Sequence, residues 1–357
     1  MAILLTIVLG IVVLAVTLLL VGIVSQAIGA ARDARKYPPP GQHFQVRGRR
    51  MHLHVQGESG PVVVLEAGMG STSLSWSLVQ PRVAQFARVA SYDRAGMGWS
   101  DLPAEPLRAW QMAADLHELL ESAGLFGPYV LACHSFGAYV ALSFASLYPG
   151  EVAGVVFVDA LPPADWMQLN AQQRRVLAIG ARYCRIAARL ARVGFVRLCL
   201  ALLSRGSKTM PRLAAGAFGT GVLESSRRIA GEIAKLPRAA RSCVRTFWSQ
   251  PKSFLGLAQH LETLAESAAQ AASIGRLGDR PLIVLSGNHN SPEQRARQEE
   301  MASLSSRGKH LVATDSGHWV HLDQPELVVW AIREVVEACR QGQWPTERAL
   351  ENQEFVN

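Results

Sequence analysis

Six short runs dominated by aliphatic residues recur along the chain: Val62 to Glu66, Arg88 to Tyr92, Val130 to Cys133, Val155 to Val158, Leu282 to Leu285 and Leu311 to Ala313. Runs of this length without polar alternation suit strands that are covered on both faces. Between them lie helical patterns, notably Trp110 to Ser122, Ala138 to Leu147 and Pro325 to Cys339. That alternation predicts an α/β fold with a mostly parallel central sheet and helices on both faces. Ahead of it, FQVRGRRMHLHVQG alternates around Gly48 and predicts a hairpin from Phe44 to Val55. With 49% hydrophobic and 18% charged residues, a chain of 357 residues can fill the core that such a sheet needs.

Part of that apolar content has another use. Ile3 to Val24 carries no charge and only Thr6 and Thr17 as polar interruptions. As a helix it spans about 33 Å, enough for the hydrocarbon layer of a membrane. The run is longer than the apolar stretch of a usual signal peptide and no basic residue precedes it, so a retained anchor over residues 1–31 is expected. A cleaved signal peptide is the competing reading, because small residues follow from Ser25 to Ala31. Arg32, Arg35 and Lys36 against Asp33 favour a single-pass protein with its body on the cytoplasmic side. Five cysteines, an odd number without metal-site spacing, agree with a reducing compartment. A stiff proline-rich linker is expected over 32–42, since YPPPGQ interrupts any helix.

The strand rhythm breaks between Leu161 and Gly278, where the sequence is Ala- and Arg-rich and helical. Over Ala171 to Gln250, 16 basic residues face two acidic ones, a surplus of 14 in a chain whose net charge is +8. The remainder is therefore acidic, and the basic character belongs to an insertion. Arg174, Arg175, Arg182, Arg185, Arg189 and Arg192 fall among Ile179, Ile186, Leu190 and Val193 at spacings that partly separate charge from apolar surface. A lid that also faces membrane lipid fits this better than an ordinary solvated face. No nucleic-acid partner is expected, because no binding motif accompanies the charge.

Within LACHSFGAYV, Ser135 follows a strand and precedes a helix beginning near Gly137. A tight turn there would push the hydroxyl outward and aim the next backbone N–H groups at a developing oxyanion. The G-x-S-x-G pattern is met at Gly137 but not at Cys133. A serine needs a base, and His318 in DSGHWVHLDQP lies in the loop after the last strand; His321 is the alternative. His52, His54, His134, His289 and His310 form no metal spacing and read as structural. Asp93 and Arg94 read as an ion pair fixing a nearby loop. No cofactor or metal is expected.

YDRAGMGWSD at Tyr92 to Asp101, PYVLACHSFGAYVA at Pro128 to Ala141, VVFVDA at Val155 to Ala160 and SGHWVHLDQPE at Ser316 to Glu326 resemble the α/β-hydrolase superfamily, in the branch with a DRAG-x-G-x-S segment. The resemblance covers nearly all of Phe44 to Cys339. It implies a hydrolase core over 43–160 and 279–342, a helical cap over 161–278 and a tail over 343–357. It also implies Ser135 as nucleophile, His318 as general base, and backbone donors from Phe136 and Met69, with Ala67-Gly68 where the family usually has His-Gly. The family's commonest acid position offers Asn288 and Asn290, with Glu293 further on; Asp159, after the preceding strand, is the preferred candidate and Asp315 a loop residue.

The activity implied is hydrolysis of an ester or related acyl bond in a small hydrophobic substrate. A serine at the elbow argues against the epoxide-hydrolase and dehalogenase branches, which need an Asp nucleophile. A non-catalytic membrane-anchored protein of the same fold, or a lyase or cofactor-free peroxidase, stays open as an alternative.

Overall fold

In the computed structural model, residues 1–204, 231 and 233–342 are described. The expected tail at 343–357, and 205–230 and 232 of the expected cap, lie outside the described residues. Eight strands form one sheet: β1 (Gln42–Val46), β2 (Arg49–Gln56), β3 (Val62–Glu66), β4 (Arg88–Tyr92), β5 (Tyr129–His134), β6 (Val152–Val158), β7 (Leu282–Gly287) and β8 (Gly308–Ala313). Their order is β1-β2-β4-β3-β5-β6-β7-β8. The hairpin β1–β2 turns on Arg47 and Gly48, both at positive φ, and β2 runs antiparallel to β4. From β4 to β8 every neighbouring pair is parallel.

Successive residues of the central strands point to opposite faces and feed two separate cores. Leu131, Phe157 and Val284 join the helices Ala109–Ser122 and Gly137–Leu147 on one side. Val130, Val156 and Ile283 join the helix Pro325–Gln341 on the other. That last helix ends at Gly342, whose φ of 68° supplies the left-handed cap. The α/β architecture read from the sequence is therefore the one observed.

Among the described residues, 162–277 contain no strand. A capping box formed by Asn170 and Gln173 opens the helix Ala171–Arg192. Its buried positions are Ala181, Ala188 and Ala191, while its arginines lie on the exposed side, so small residues let a charged helix approach closely. Arg185 pairs with Glu262 at the end of the neighbouring helix Pro251–Glu262. The helix Leu264–Ser273, inside the stretch read as insertion, packs Leu264, Ala268 and Ala271 into the main core.

The N-terminal helix runs from Ala2 to Lys36 and is long and apolar enough to cross a membrane. It extends past the basic cluster, so the linker read over 32–42 shrinks to the few residues after Lys36. The three prolines stop it: Tyr37 already leaves helical geometry, at φ −126° and ψ 68°.

The insertion meets the core at a contact between two glycines. A Cβ on Gly256 would lie 2.9 Å from the Gly96 carbonyl oxygen, so helix Pro251–Glu262 touches the loop after β4 backbone to backbone. Beside it, Lys252 Nζ donates to the carbonyls of Gly98 at 2.8 Å and Ser100 at 2.7 Å. Gly256→Ala should lower stability by about 1–3 kcal/mol in denaturant titration, the usual cost of overpacking. Gly275→Ala, where a Cβ meets nothing within 4 Å, should stay near wild type.

Candidate active site

Parallel register sets Ser135 and Asp159 at one level. His134 pairs with Val158 and Val158 with Leu285, so the residues that follow leave the sheet together at its carboxyl edge. Both first residues are strained: φ is 52° at Ser135 and 44° at Asp159, values that non-glycine residues seldom adopt. Ser135 sits at the step from β5 to the helix Gly137–Leu147. Its N–H donates to the Val158 carbonyl at 3.1 Å, and its own carbonyl accepts from Ala138 and Leu161. Gly137 is required by space, since a Cβ there would lie 2.7 Å from Glu66 Cγ and 3.0 Å from the Ala67 carbonyl. Cys133 is fully buried in β5, and burial pushes its thiol well above the ordinary range.

His318 Nδ1 and Asp159 Oδ2 are 2.5 Å apart. The other oxygen, Asp159 Oδ1, accepts from the Gly287 N–H at 2.9 Å, Asn290 Nδ2 at 2.6 Å and Gln298 Nε2 at 3.0 Å. Burial pushes the Asp159 carboxyl up, but His318 and these donors outweigh it and hold the group below the usual carboxylate range. It is thus an ionised acceptor, and the His318 ring donates from Nδ1, leaving Nε2 as the unprotonated nitrogen of the neutral ring. The imidazole is 43% exposed. Of the other carboxylates considered, Glu293 and Asp315 are exposed, and neither bonds to His318. Asn288 donates to the Thr314 carbonyl at 2.9 Å.

The loop after β3 lies against the serine. A Cβ on Gly68 would be 3.5 Å from Ser135 Cβ, which brings Met69 beside the hydroxyl-bearing turn. Neither the Met69 nor the Phe136 backbone N–H meets a protein acceptor among the described residues. Asp93 and Arg94 are not paired with each other. Asp93 accepts from the Ser73 N–H at 2.7 Å, the Trp99 N–H at 3.0 Å and His52 Nδ1 at 3.0 Å. Arg94 pairs with Glu66 and donates to the carbonyls of Ala67 and Gly68. Its guanidinium therefore pins the loop that carries Met69. Adjacent residues in the chain faced different partners, which no reading of one segment reveals.

Three residues important to this arrangement carry weak signals in the sequence. Glu66 ends an otherwise apolar strand and is buried under Arg94 and Tyr92. Asn290 and Gln298 hold the far side of Asp159. His134, read as structural, donates from Nε2 to the His318 carbonyl at 2.9 Å, so Nε2 carries the proton. His321 is fully buried, with no partner for either ring nitrogen among the described residues. Its ring lies 4.7 Å from Trp76 and 4.4 Å from His134, so it packs rather than bonds.

Residues 60–325 match a family model described as alpha/beta hydrolase fold. An AB hydrolase superfamily protein of Gibberella zeae is 23% identical over 313 residues, spanning 78% of this chain and 87% of that protein. Further curated relatives are matched over about half of their length or less. Among solved structures, a thermophilic esterase from Thermogutta terrifontis aligns with a TM-score of 0.60 at 22% identity, covering 84% of this chain and 99% of that one. The epoxide hydrolase CorEH aligns with a TM-score of 0.60 at 20% identity, covering 81% and 95%.

Burial lowers the His321 imidazole to about 3, helped by the charges of His318 and Lys235. It lowers His260 to about 3 as well, helped by Arg94. Both rings stay neutral in the folded protein while the unfolded chain takes up protons near pH 6.5. Stability should therefore fall as pH drops from about 6.5 toward 3, by up to about 1.4 kcal/mol per pH unit for each ring. Denaturant titrations at pH 7 and 5 measure the loss, and His260→Phe with His321→Phe should make the dependence shallower.

Proposed function

The chain belongs to the α/β-hydrolase fold family, and on that footing we propose that it is a serine hydrolase cleaving an ester or related acyl bond of a small hydrophobic substrate. The observation that carries the reading is the 2.5 Å contact between His318 Nδ1 and a buried Asp159 whose other oxygen is fully engaged. An ionised carboxylate fixed in this way orients the imidazole and stabilises its protonated form.

Ser135 Oγ attacks the acyl carbonyl as its proton passes to His318 Nε2. The carbonyl oxygen gains the negative charge and is held by the N–H groups of Met69 and Phe136. The imidazolium returns the proton to the leaving alcohol or amine, and an acyl-serine remains. Water then attacks that carbonyl, giving its proton to His318, which passes it to Ser135 as the acid departs. Asp159 keeps its charge throughout. The attacking residue is a serine, which favours acyl transfer over epoxide opening; the likeness to an epoxide hydrolase is one of fold.

The N-terminal helix acts in this reading as a retained, single membrane anchor rather than a cleaved leader. Supporting it, Gln26 is buried against the body, where its amide donates to the Ser249 carbonyl at 3.1 Å and accepts from Arg197 Nε at 2.9 Å. Cleavage within Ser25 to Ala31 would strip away part of that packing. The basic residues after the apolar run favour a cytoplasmic body.

Ser135→Ala and His318→Ala should each reduce turnover of short-chain aryl esters by roughly 10⁴-fold or more, and Asp159→Asn by about 10⁴-fold, with Glu293→Gln near wild type. A serine-directed fluorophosphonate should label Ser135 alone. Unchanged turnover in the serine and histidine variants, with no labelling, would falsify the assignment. Intact mass of the membrane-extracted protein should include residues 1–31.

A further inference from the structure

Gly22, Gln26, Gly29 and Asp33 recur at intervals of four, three and four and so lie on one face of the N-terminal helix. The insertion covers that face. A Cβ on Gly22 would lie 2.2 Å from the Val193 carbonyl oxygen, and one on Gly29 would lie 2.6 Å from Arg197 Nε. Arg197 reaches Gln26 with Nε at 2.9 Å and Asp33 with Nη1 at 2.6 Å. Helix Phe195–Ser204 is thus docked along the N-terminal helix by two glycines, a buried amide and an ion pair.

The level of this docking is its important property. Gly22 belongs to the uncharged run and lies ten residues, about 15 Å of helix, before Arg32, the first charge. The spanning run ends at Val24, so a helix that begins beside Gly22 and passes Gly29 with Arg197 lies along the boundary between acyl chains and headgroups once the anchor spans a bilayer. Its free side has the matching chemistry: Phe195 is 48% exposed and Leu198 55%. A groove of about 730 Å³ runs along the N-terminal helix, walled by Leu20, Val21, Val24 and Ile28, with Arg32 and, from the docked helix, Arg197 at its polar end. Exposed Arg189 and Arg192 lie just before the docked helix. Exposed apolar side chains of the two helices thus stand beside one another, with Arg32 and Arg197 toward the level where phosphate groups would be.

We propose that the helix Phe195–Ser204 lies in the interface of an anionic bilayer with Phe195 and Leu198 against the acyl chains, which makes the cap part of the membrane-bound structure rather than a soluble lid. The proposal rests on the retained-anchor reading above. It places the insertion between the carboxyl edge of the sheet and the lipid, so a hydrophobic ester would approach from the bilayer.

The test uses the full-length protein in vesicles of phosphatidylcholine and phosphatidylglycerol. A diazirine-bearing residue is introduced singly at Leu14, Leu198 or Phe126, the last being 70% exposed just ahead of β5 at the opposite edge of the sheet. After illumination, mass spectrometry counts lipid adducts. Positions 14 and 198 should both yield adducts, at least about tenfold above position 126, and Gly22→Leu should lower the yield at 198 several-fold by parting the two helices. Adducts at 14 with none above background at 198 overturn this proposal and leave the anchor standing. No adducts at 14 overturn the anchor and this proposal together.

Discussion

Adjacent parallel strands with both faces covered leave one place for chemistry, their carboxyl ends. β3, β5, β6 and β7 bury nearly every side chain in two separate cores, and their partnered polar side chains, Glu66, His134 and Ser286, stand at or next to the carboxyl ends. The loops after these strands carry Met69, Ser135, Asp159 and Asn290, and the loop after β8 carries His318. Strand register alone aligns their starting points. The positive φ at Ser135 and Asp159 is then the local cost of turning the chain at once at the end of a strand.

This constraint also accounts for what could be read in the sequence. Each buried strand announced itself as a short aliphatic run, because a strand without a solvent face needs no alternation. The hairpin showed through Gly48, and the helix Pro325–Gln341 through its apolar spacing. Ser135 and His318 stood out for their positions relative to strands. Less legible were the partners that meet across the sheet. Glu66 and Arg94 are 28 residues apart, and Asp159 and Gln298 are 139 apart; no local pattern links them. Asp93 and Arg94 misled for the opposite reason, since neighbours in sequence point in different directions on an extended backbone. The linker misread has a similar origin: a basic cluster does not stop a helix, whereas a proline does.

The insertion is tied down from two sides. Toward the core, the Gly96–Gly256 contact and Lys252 fix the helix Pro251–Glu262 on the loop that Asp93 organises. Toward the N-terminus, Trp99 of that same loop donates from Nε1 to the Tyr37 carbonyl at 3.1 Å, and its ring lies 4.9 Å from Phe247. One loop after β4 therefore touches the N-terminal helix, the insertion and the sheet. Its two glycines at positive φ make room for all three.

The 2.6 Å bond from Asn290 to Asp159 carries a further meaning. Asp159 follows β6 and Asn290 follows β7, so two strand ends that are distant in sequence are joined side chain to side chain. The amide grips the oxygen that faces away from His318, while the other oxygen meets the ring. The aim of the imidazole therefore depends in part on a residue that never touches it.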